Sequence, residues 1–357
     1  MKKSIRSAIA AGMTAAMMLS LAACGSSSAT ASSAASSAGE SSAAASEATK
    51  REDSSASEES AKDAAADSGK TYKIGVLQLV QHTALDKTNE GFIEALDASG
   101  ISYEVDQQNA AGDTVTATTI AQKFVNDGDD LIYAIATQAA QAAASQTEDI
   151  PIVLNAVTDP AGSGLVADNA APGGNVTGAS DLTPVADQIK LIKKFLPDAK
   201  TVGILYCSAE SNSEIQVKLA KEACQGEGLT AEEYPVANSN DIQTVVESMV
   251  GKVDVIYAPT DNVVAAGMAT VAMIANDNKI PTVVGEQGMC DAGGLVTYTI
   301  DYKELGKVAG EMAVKILTEG ADPATMPIEY YPSDKLQLVV NEETAKTLGL
   351  DLSGLEV

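Results

Sequence analysis

From residue 71 onward, the sequence alternates short apolar segments with longer segments of helical periodicity, and this alternation constrains the fold more than any other feature. Apolar runs at residues 73–77, 131–135 and 151–155 have the length of buried strands, and helical patterns fill intervals such as 88–98 and 116–126. Repeated strand–helix units are typical of a parallel sheet covered by helices. The sequence therefore predicts an α/β protein.

A second series of the same kind begins after Pro184. Its predicted elements are, in order, a helix at 185–195, a strand at 201–206, a helix at 214–226, a strand at 232–236, a helix at 241–250, a strand at 253–258, a helix at 263–277 and a strand at 281–285. Two comparable series in one chain predict two doubly wound parallel-sheet lobes with a ligand cleft between them.

The boundaries of the lobes follow from segments that fit neither series. Residues 181–183 and 296–301 are predicted to cross between the lobes, the helix at 302–317 to return to the first lobe, and the apolar run at 335–340 to add a last strand to the second. The predicted N-terminal lobe is therefore 71–182 plus 299–322, and the predicted C-terminal lobe is 183–298 plus 323–357.

The N-terminal end has the features of an export signal. Three basic residues precede an apolar run, 8–23, that is too short for a permanent membrane span. The run ends on Leu-Ala-Ala-Cys-Gly, which resembles the bacterial lipobox, where Cys24 is acylated and becomes the new N-terminus. We predict a signal peptide at 1–23, and at 24–70 a lipidated Cys24 followed by a disordered Ser/Ala/Glu linker. The protein is then anchored by lipid to the outer face of the cell membrane.

The charge and the rare residue types exclude several functions. The chain has 23 Lys and Arg against 49 Asp and Glu, a formal net charge of −26, whereas nucleic-acid binding needs a basic surface. It has one His and no Cys-x-x-Cys spacing, so we predict no metal site and no cofactor. Cys207, Cys224 and Cys290 are expected to be free thiols.

Polar and acidic side chains follow the predicted strands of both lobes. Ligands of open parallel sheets bind beyond the carboxyl ends of the strands. Hydroxyl and amide groups can hold a carboxylate there, and acidic groups can pair with an ammonium, so this collection suits a zwitterion. Singly, each is more often a cap or turn residue, and their convergence on one cleft favours binding. The candidates are Gln81, His82, Thr137, Gln138, Thr158, Asp159, Ser208, Asn212, Ser213, Thr260, Asp261, Asn262, Glu286 and Asp301.

Catalysis has little support in the sequence. A serine triad would have to use His82, the only imidazole, and no Gly-x-Ser-x-Gly motif accompanies it. Paired carboxylates for glycoside hydrolysis stay open, because their separation is invisible in a sequence. Sugar sites rely on aromatic faces, however, and this chain has no Trp and three Phe. We therefore predict a binding protein without catalytic residues.

Several ordered motifs make the chain resemble the tryptophan/tyrosine-type ABC-transporter substrate-binding lipoproteins. They are Asp-Leu-Ile-Tyr-Ala-Ile-Ala-Thr at 130–137, Asp-Ile-Pro-Ile-Val at 149–153, Val-Thr-Asp-Pro at 157–160, Pro-Gly-Gly-Asn-Val-Thr-Gly at 172–178, Pro-Thr-Asp-Asn at 259–262 and Ile-Asp-Tyr at 300–302. The resemblance runs from about residue 72 to 349. It implies a type I periplasmic-binding-protein fold with three crossings between the lobes, and an ABC permease with its ATPase as partners.

The resemblance also implies a ligand, an aromatic L-amino acid such as tryptophan, tyrosine or phenylalanine. It assigns the ligand ammonium to acids such as Asp159 or Asp261, and the ligand carboxylate to polar residues. Those polar residues are Ser208, Asn212, Ser213 or Thr137. One departure concerns residues 82–86, which read His-Thr-Ala-Leu-Asp where relatives often have His-Pro-Ala-Leu-Asp. The alternatives are an anchored adhesin or sensory module of the same fold, and a binder of a non-aromatic solute.

Overall fold

The computed structural model describes residues 69–352 and 354–355. The predicted signal peptide, Cys24 and all but the last two residues of the predicted linker lie outside the described residues. Within the described ranges, no helix has both the length and the apolar character needed to cross a membrane.

Strands and helices alternate through most of the described chain. The strands are β1 (Thr71–Gln78), β2 (Ser102–Asn109), β3 (Leu131–Ile135), β4 (Ile152–Asn155), β5 (Val176–Ser180), β6 (Thr201–Cys207), β7 (Thr230–Val236), β8 (Val255–Ala258), β9 (Thr282–Val284), β10 (Val296–Thr299), β11 (Glu329–Tyr330) and β12 (Gln337–Val340). The helices are α1 (Thr83–Ser99), α2 (Thr114–Asp127), α3 (Thr137–Ala144), α4 (Val185–Phe195), α5 (Ser211–Gly226), α6 (Ile242–Met249), α7 (Asn262–Ala266), α8 (Met268–Asp277), α9 (Gln287–Asp291), α10 (Tyr302–Val314) and α11 (Glu342–Leu348).

Two six-stranded sheets form the two lobes. The first has the order β11-β5-β4-β3-β1-β2, with every pair parallel. The second has the order β12-β10-β9-β8-β6-β7, parallel except for β12, which runs antiparallel to β10. Central strands such as β3 are buried along their whole length, because helices cover both faces of the sheet. This architecture confirms the predicted α/β fold with two doubly wound lobes.

Short local signals start and stop the helices. Before α2, the Asp113 side chain accepts a hydrogen bond from the Thr116 backbone N–H at 2.6 Å, which satisfies a donor that the first turn leaves free. The same helix ends at Gly128 with a φ of 67°, a left-handed conformation that glycine adopts without steric conflict. The chain can then turn sharply into β3.

The structure corrects two predicted boundaries. Residues 296–301 are not wholly a crossing, because Val296–Thr299 form β10; the Thr side chains in this strand interrupt the apolar run that marks other strands. Residues 323–357 do not all belong to the second lobe either. The Thr177 hydroxyl donates to the Met326 carbonyl at 2.8 Å, and β11 pairs with β5, so the chain stays in the first lobe until about residue 330. The segments between lobes are 181–184, 300–301 and 331–336.

Glycines bring α1 and α10 into close contact in the first lobe. A Cβ placed on Gly306 would lie 2.1 Å from the Thr88 carbonyl oxygen, and one on Gly91 would lie 1.9 Å from the Lys303 carbonyl oxygen. A side chain at either position would overlap backbone atoms of the other helix. The two helices therefore approach as closely as backbones allow. Both begin beside the cleft, α1 after His82 and α10 after Asp301.

Candidate functional site

A narrow cavity lies between the lobes, where the carboxyl ends of the two sheets face each other, and in this closed arrangement it has room for little more than one water molecule. Its walls combine residues that follow β1, β4 and β5 in the first lobe with residues that follow β6, β8 and β9 in the second. The sequence-predicted residues that line it are His82, Thr158, Asn212, Thr260, Asp261, Asn262 and Glu286. The lining residues that were not predicted are Ala84, Leu85, Ala156, Asp181, Ala265 and Tyr302.

Hydrogen bonds join the lobes across this cavity. His82 Nε2 lies 3.2 Å from Asn262 Oδ1, and Gln216 Nε2 donates to Thr158 Oγ1 at 3.4 Å. At the rim, Gln138 Nε2 donates to the Ala209 carbonyl at 2.9 Å. Each bond links a residue of the first lobe to one of the second, so the lobes are drawn together. The walls are close enough that a large ligand would enter only after the lobes separate or lining side chains turn.

Asp181 is a buried acid on the first crossing between the lobes. The Tyr302 hydroxyl donates to Asp181 Oδ2 at 3.0 Å, and the Thr158 hydroxyl lies 3.4 Å from Oδ1. Burial raises the pKa of Asp181 to about 6, and these two hydrogen bonds oppose the rise only in part. At neutral pH, the carboxylate is therefore charged without a cationic partner among its described contacts.

Glu286 is the corresponding acid of the second lobe. Its side chain caps α9 by accepting hydrogen bonds from the backbone N–H groups of Gly288 and Met289, the latter at 2.7 Å. Burial raises its pKa to about 7 despite those two bonds. Glu286 thus places a second acidic residue at the cavity, in addition to Asp181.

Asp261, in the second-lobe wall of the cavity, and Glu210, behind that wall, form a buried pair of acids. Asp261 accepts from the Cys207 backbone N–H at 2.5 Å, the Ser213 hydroxyl at 2.7 Å and the Val264 backbone N–H at 2.8 Å. Burial raises the pKa of Asp261, and burial together with the neighbouring Asp261 raises that of Glu210. Asp261 therefore orders the start of α7 as a helix cap while its carboxyl also lines the cavity.

Glu210 positions two amide side chains of the cavity wall. Its carboxyl accepts from Asn262 Nδ2 at 2.8 Å and from Asn212 Nδ2 at 3.0 Å, as well as from the backbone N–H groups of Asn262 and Val263. Because Glu210 accepts hydrogen bonds from the two amide nitrogens, the two amide oxygens point away from Glu210. Asn212 Oδ1 is buried and has no hydrogen-bond partner among the described residues.

Backbone strain occurs at the same place. Ala156, directly after β4, has a φ of 52°, which costs a residue with a Cβ about 1–2 kcal/mol. The Asn155 side chain supports this turn, because its Oδ1 accepts from the Ala156 N–H at 2.7 Å and its Nδ2 donates to the Leu305 carbonyl at 3.1 Å. Strand β4, α10 and the cavity floor are thereby fixed to one another.

The charged side chains of the cavity lining are acidic. Asp181, Asp261 and Glu286 line the cavity, and no Lys or Arg is among its described lining residues. Burial raises the pKa of each of these carboxyls, so their charged forms are unfavourable until a cation pairs with them. Such a cavity favours a ligand that brings a positive group. The described residues contain no cluster of His, Cys, Asp or Glu arranged to hold a metal ion.

Four first-lobe candidates lie outside the cavity lining: Gln138 at its rim, and Gln81, Thr137 and Asp159. Gln81 is exposed, and Thr137 is buried at the first turn of α3. Asp159 organises its own loop, where it accepts from the Gly162 N–H and from Asn169 Nδ2, each at 3.0 Å. In this structure, Asp159 is therefore a turn residue, which was the alternative that the sequence analysis gave for each single candidate.

The remaining candidates have supporting positions. Ser208 is exposed, and Ser213 contacts Asp261 from behind the wall. Asp301 caps α10 by accepting from the backbone N–H groups of Lys303 and Glu304, at 2.9 and 3.1 Å. Cys207, Cys224 and Cys290 are buried and unpaired.

Sequence reasoning missed Asp181, Tyr302 and Glu210. Asp181 lies on a segment that was predicted as a crossing, and Tyr302 begins a helix that was predicted at 302–317. Asp301 was the only candidate taken from a crossing, and a search of residues 181–183 for acids would also have found Asp181. Glu210 lies between two predicted candidates, Ser208 and Asn212, and its burial depends on the fold of the loop.

Comparisons with known proteins identify a family of similar proteins. The profile of the family described as "ABC transporter substrate binding protein" matches residues 73–354. The tyrosine-binding protein of Clostridioides difficile is 41% identical over 295 residues, which cover 82% of this chain and 85% of that protein. Each comparison covers the two lobes described above.

Two solved structures are also similar to this chain in sequence and in fold. A Streptococcus pneumoniae ABC domain in complex with L-Trp is 39% identical, with a TM-score of 0.77. The ligand-free, open structure of a Clostridium difficile substrate-binding protein with adhesive properties is 43% identical, with a TM-score of 0.63. Each match covers 80% of this chain and 97% of the other. The likeness confirms the predicted type I periplasmic-binding-protein fold.

Proposed function

Because this chain belongs to the ABC transporter substrate-binding protein family, we propose that its cavity captures an aromatic L-amino acid and that the closed protein delivers it to a membrane permease and its ATPase. Substrate-binding proteins of ABC transporters are extracytoplasmic. The observation that carries the ligand class is a cavity between two lobes that is lined by buried carboxyls, with no Lys or Arg among the described residues of its lining. Relatives described as binding tyrosine and L-Trp support the aromatic side chain.

The acids provide a site for the ligand ammonium. Asp181 reaches the cavity from the first crossing and Glu286 from the second lobe, so an ammonium that contacts both would neutralise charge and hold the second lobe against the crossing. Hydrogen bonds to a charged group are about twice as strong as neutral ones. The hydroxyl of Thr260 also lines the cavity, and because its oxygen accepts from Gln216 Nε2, its proton is available to the ligand carboxylate.

Closure of the lobes is the proposed mechanism of capture. The chain matches the L-Trp complex with a higher TM-score than the open relative, although the open relative has the higher sequence identity. The cross-lobe bonds of His82, Gln138 and Gln216 describe the same closed arrangement. A ligand that contacts both lobes shifts the population toward this state, and its loss lets the lobes separate.

Adhesion is a second candidate function. A relative that is 43% identical is described as a substrate-binding protein with adhesive properties. Adhesion would use an outer surface of the lobes and would leave the cavity free for a solute. Binding to cultured epithelial cells that persists in a variant unable to bind amino acids would support adhesion as a separate activity.

Calorimetric titration tests the proposed ligand. We expect protein without residues 1–24, unfolded and refolded to remove bound ligand, to bind tryptophan or tyrosine one-to-one with a Kd of about 1 μM or tighter, near −8 kcal/mol. Alanine, leucine, glutamate and ribose serve as controls, since they lack the aromatic ring. Binding of one of these, with silence toward tryptophan, tyrosine and phenylalanine in folded protein, would contradict the aromatic specificity.

We further propose that Cys24 carries the lipid anchor, on the basis of the Leu-Ala-Ala-Cys-Gly motif at 21–25. Cells fed with labelled palmitate are expected to label the wild-type protein in the membrane fraction. The Cys24→Ser variant should lose the label, because no thiol remains at the lipobox. Cys207→Ser is the matched control and should keep the label, since that thiol is buried in the second lobe. A Cys24→Ser protein that stays labelled would exclude this anchor.

A further inference from the structure

The single histidine of the chain has one ring nitrogen in use and one without a partner. His82 lines the cavity, and its Nε2 lies 3.2 Å from Asn262 Oδ1 of the other lobe. Its Nδ1 is buried and has no hydrogen-bond partner among the described residues. Leaving a buried polar atom unpaired is unfavourable, so such an atom beside a ligand cavity indicates a role in binding.

The orientation of the Asn262 amide determines which nitrogen of His82 carries the proton. Asn262 Nδ2 donates to Glu210 at 2.8 Å, so the group that faces His82 is the oxygen, which only accepts. His82 must therefore donate from Nε2, and in the neutral ring Nδ1 then has a free lone pair. Glu210 thus sets the tautomer of a histidine in the opposite lobe.

The ring is held in its neutral form by its surroundings. Burial lowers the pKa of His82, and this effect exceeds the opposing influence of the Asn262 hydrogen bond and of the Asp86 carboxylate. At neutral pH, Nδ1 is then an acceptor. A hydrogen-bond donor of the ligand could therefore pair with this nitrogen.

We propose that His82 Nδ1 accepts a hydrogen bond from the ligand's aromatic ring, so that the site selects amino acids whose ring carries an N–H or O–H and discriminates against phenylalanine. This inference rests on the proposed function. The ammonium has better partners in the carboxyls of Asp181 and Glu286, because opposite charges attract more strongly than an ion and a neutral acceptor. The ring donor of tryptophan or tyrosine is the remaining group that matches a neutral nitrogen acceptor.

Ligands that differ only in the donor test this inference without altering the protein. The pairs are tryptophan with 3-benzothienyl-L-alanine, in which sulfur replaces the indole N–H, and tyrosine with phenylalanine. Sites built to bond a donor reject analogues that lack it. We expect the wild-type Kd of the preferred donor ligand to be about 10-fold to 100-fold lower than that of its matched analogue.

The His82→Phe variant then assigns the effect to the ring nitrogen. The difference within each pair should shrink to about threefold or less, whereas any loss of cross-lobe contact weakens both members equally and leaves their ratio unchanged. Equal wild-type affinities within both pairs, or a ratio that persists in the variant, would overturn the inference and leave the proposed function standing. Failure of every aromatic amino acid to bind folded wild-type protein would overturn both.

Discussion

The Asp181→Asn variant is expected to bind its aromatic amino acid at least about 100-fold more weakly than the wild type. Asp181 is the buried acid of the first crossing and contacts Tyr302 and Thr158, so an amide there can keep the hydroxyl contacts. The amide cannot neutralise an ammonium, however, and loss of one partner of a buried charge pair typically costs about 3 kcal/mol or more. Calorimetric titration at pH 7.5 measures this loss. Asp187→Asn, which removes an exposed acid of α4, should bind as the wild type does.

Without ligand at neutral pH, Asp181→Asn should raise the stability of the fold, although it lowers the affinity for the ligand. Burial raises the pKa of Asp181 from 3.8 to about 6, so the folded protein binds this proton more tightly than the unfolded chain does. Its contribution is fully present below pH 4 and is lost as the pH rises through 6, a total of about 3 kcal/mol. Ligand-free Asp181→Asn should therefore lose less stability than the wild type between pH 4.5 and 7.5, as measured by urea unfolding. Wild-type affinity in this variant would remove Asp181 from the ammonium site.

The Gly306→Val variant is expected to lose most or all of its folded stability. A Cβ at this position would lie 2.1 Å from the Thr88 carbonyl oxygen and 3.1 Å from the Gly91 Cα, both in the backbone region of α1. Backbone cannot turn aside as a long side chain can, so the helices must separate and expose apolar surface, at a cost of about 4 kcal/mol or more. Urea unfolding followed by circular dichroism measures the effect.

Gly226→Ala is the matched control for that substitution. Gly226 ends α5, and a Cβ there would meet no atom within 4 Å. Alanine is the better helix former, so its stability should stay within about 1 kcal/mol of the wild type. A Gly306→Val protein that unfolds at the same urea concentration as this control would show that the helices are not in close contact.

Much of the fold was predictable because it depends on local patterns. The apolar runs that became β1, β3, β4, β6 and β8 are buried on both faces, which makes them continuous in the sequence. Strand β10 was missed because Thr297 and Thr299 interrupt the pattern, and their burial depends on neighbouring strands. Strand β11 has only two residues and exists because the segment lies against β5. Tertiary contacts determine both of these strands.

The candidate site was predictable to the extent that topology alone brings residues together. Parallel strands end at one edge, so the residues after β8 and β9, including Asp261 and Glu286, could be placed beside one cleft from their order in the chain. Asp159 also follows a strand, yet its side chain turns toward Asn169, and no sequence pattern distinguishes these two directions. Asp181 and Tyr302 meet across 121 residues of sequence, a contact that the packing of α10 against β5 creates.

The packing of α1 against α10 has a consequence for biosynthesis. Lys303 and Glu90 form an ion pair across 213 residues of sequence, and the whole second sheet apart from β12 is encoded between these two helices. During translation, the first lobe thus cannot be completed until α10 has been synthesised, when most of the chain has been made. Contacts between residues that are distant in sequence also form slowly. A fragment that ends before residue 302 would leave the apolar face of α1 uncovered and vulnerable to proteases.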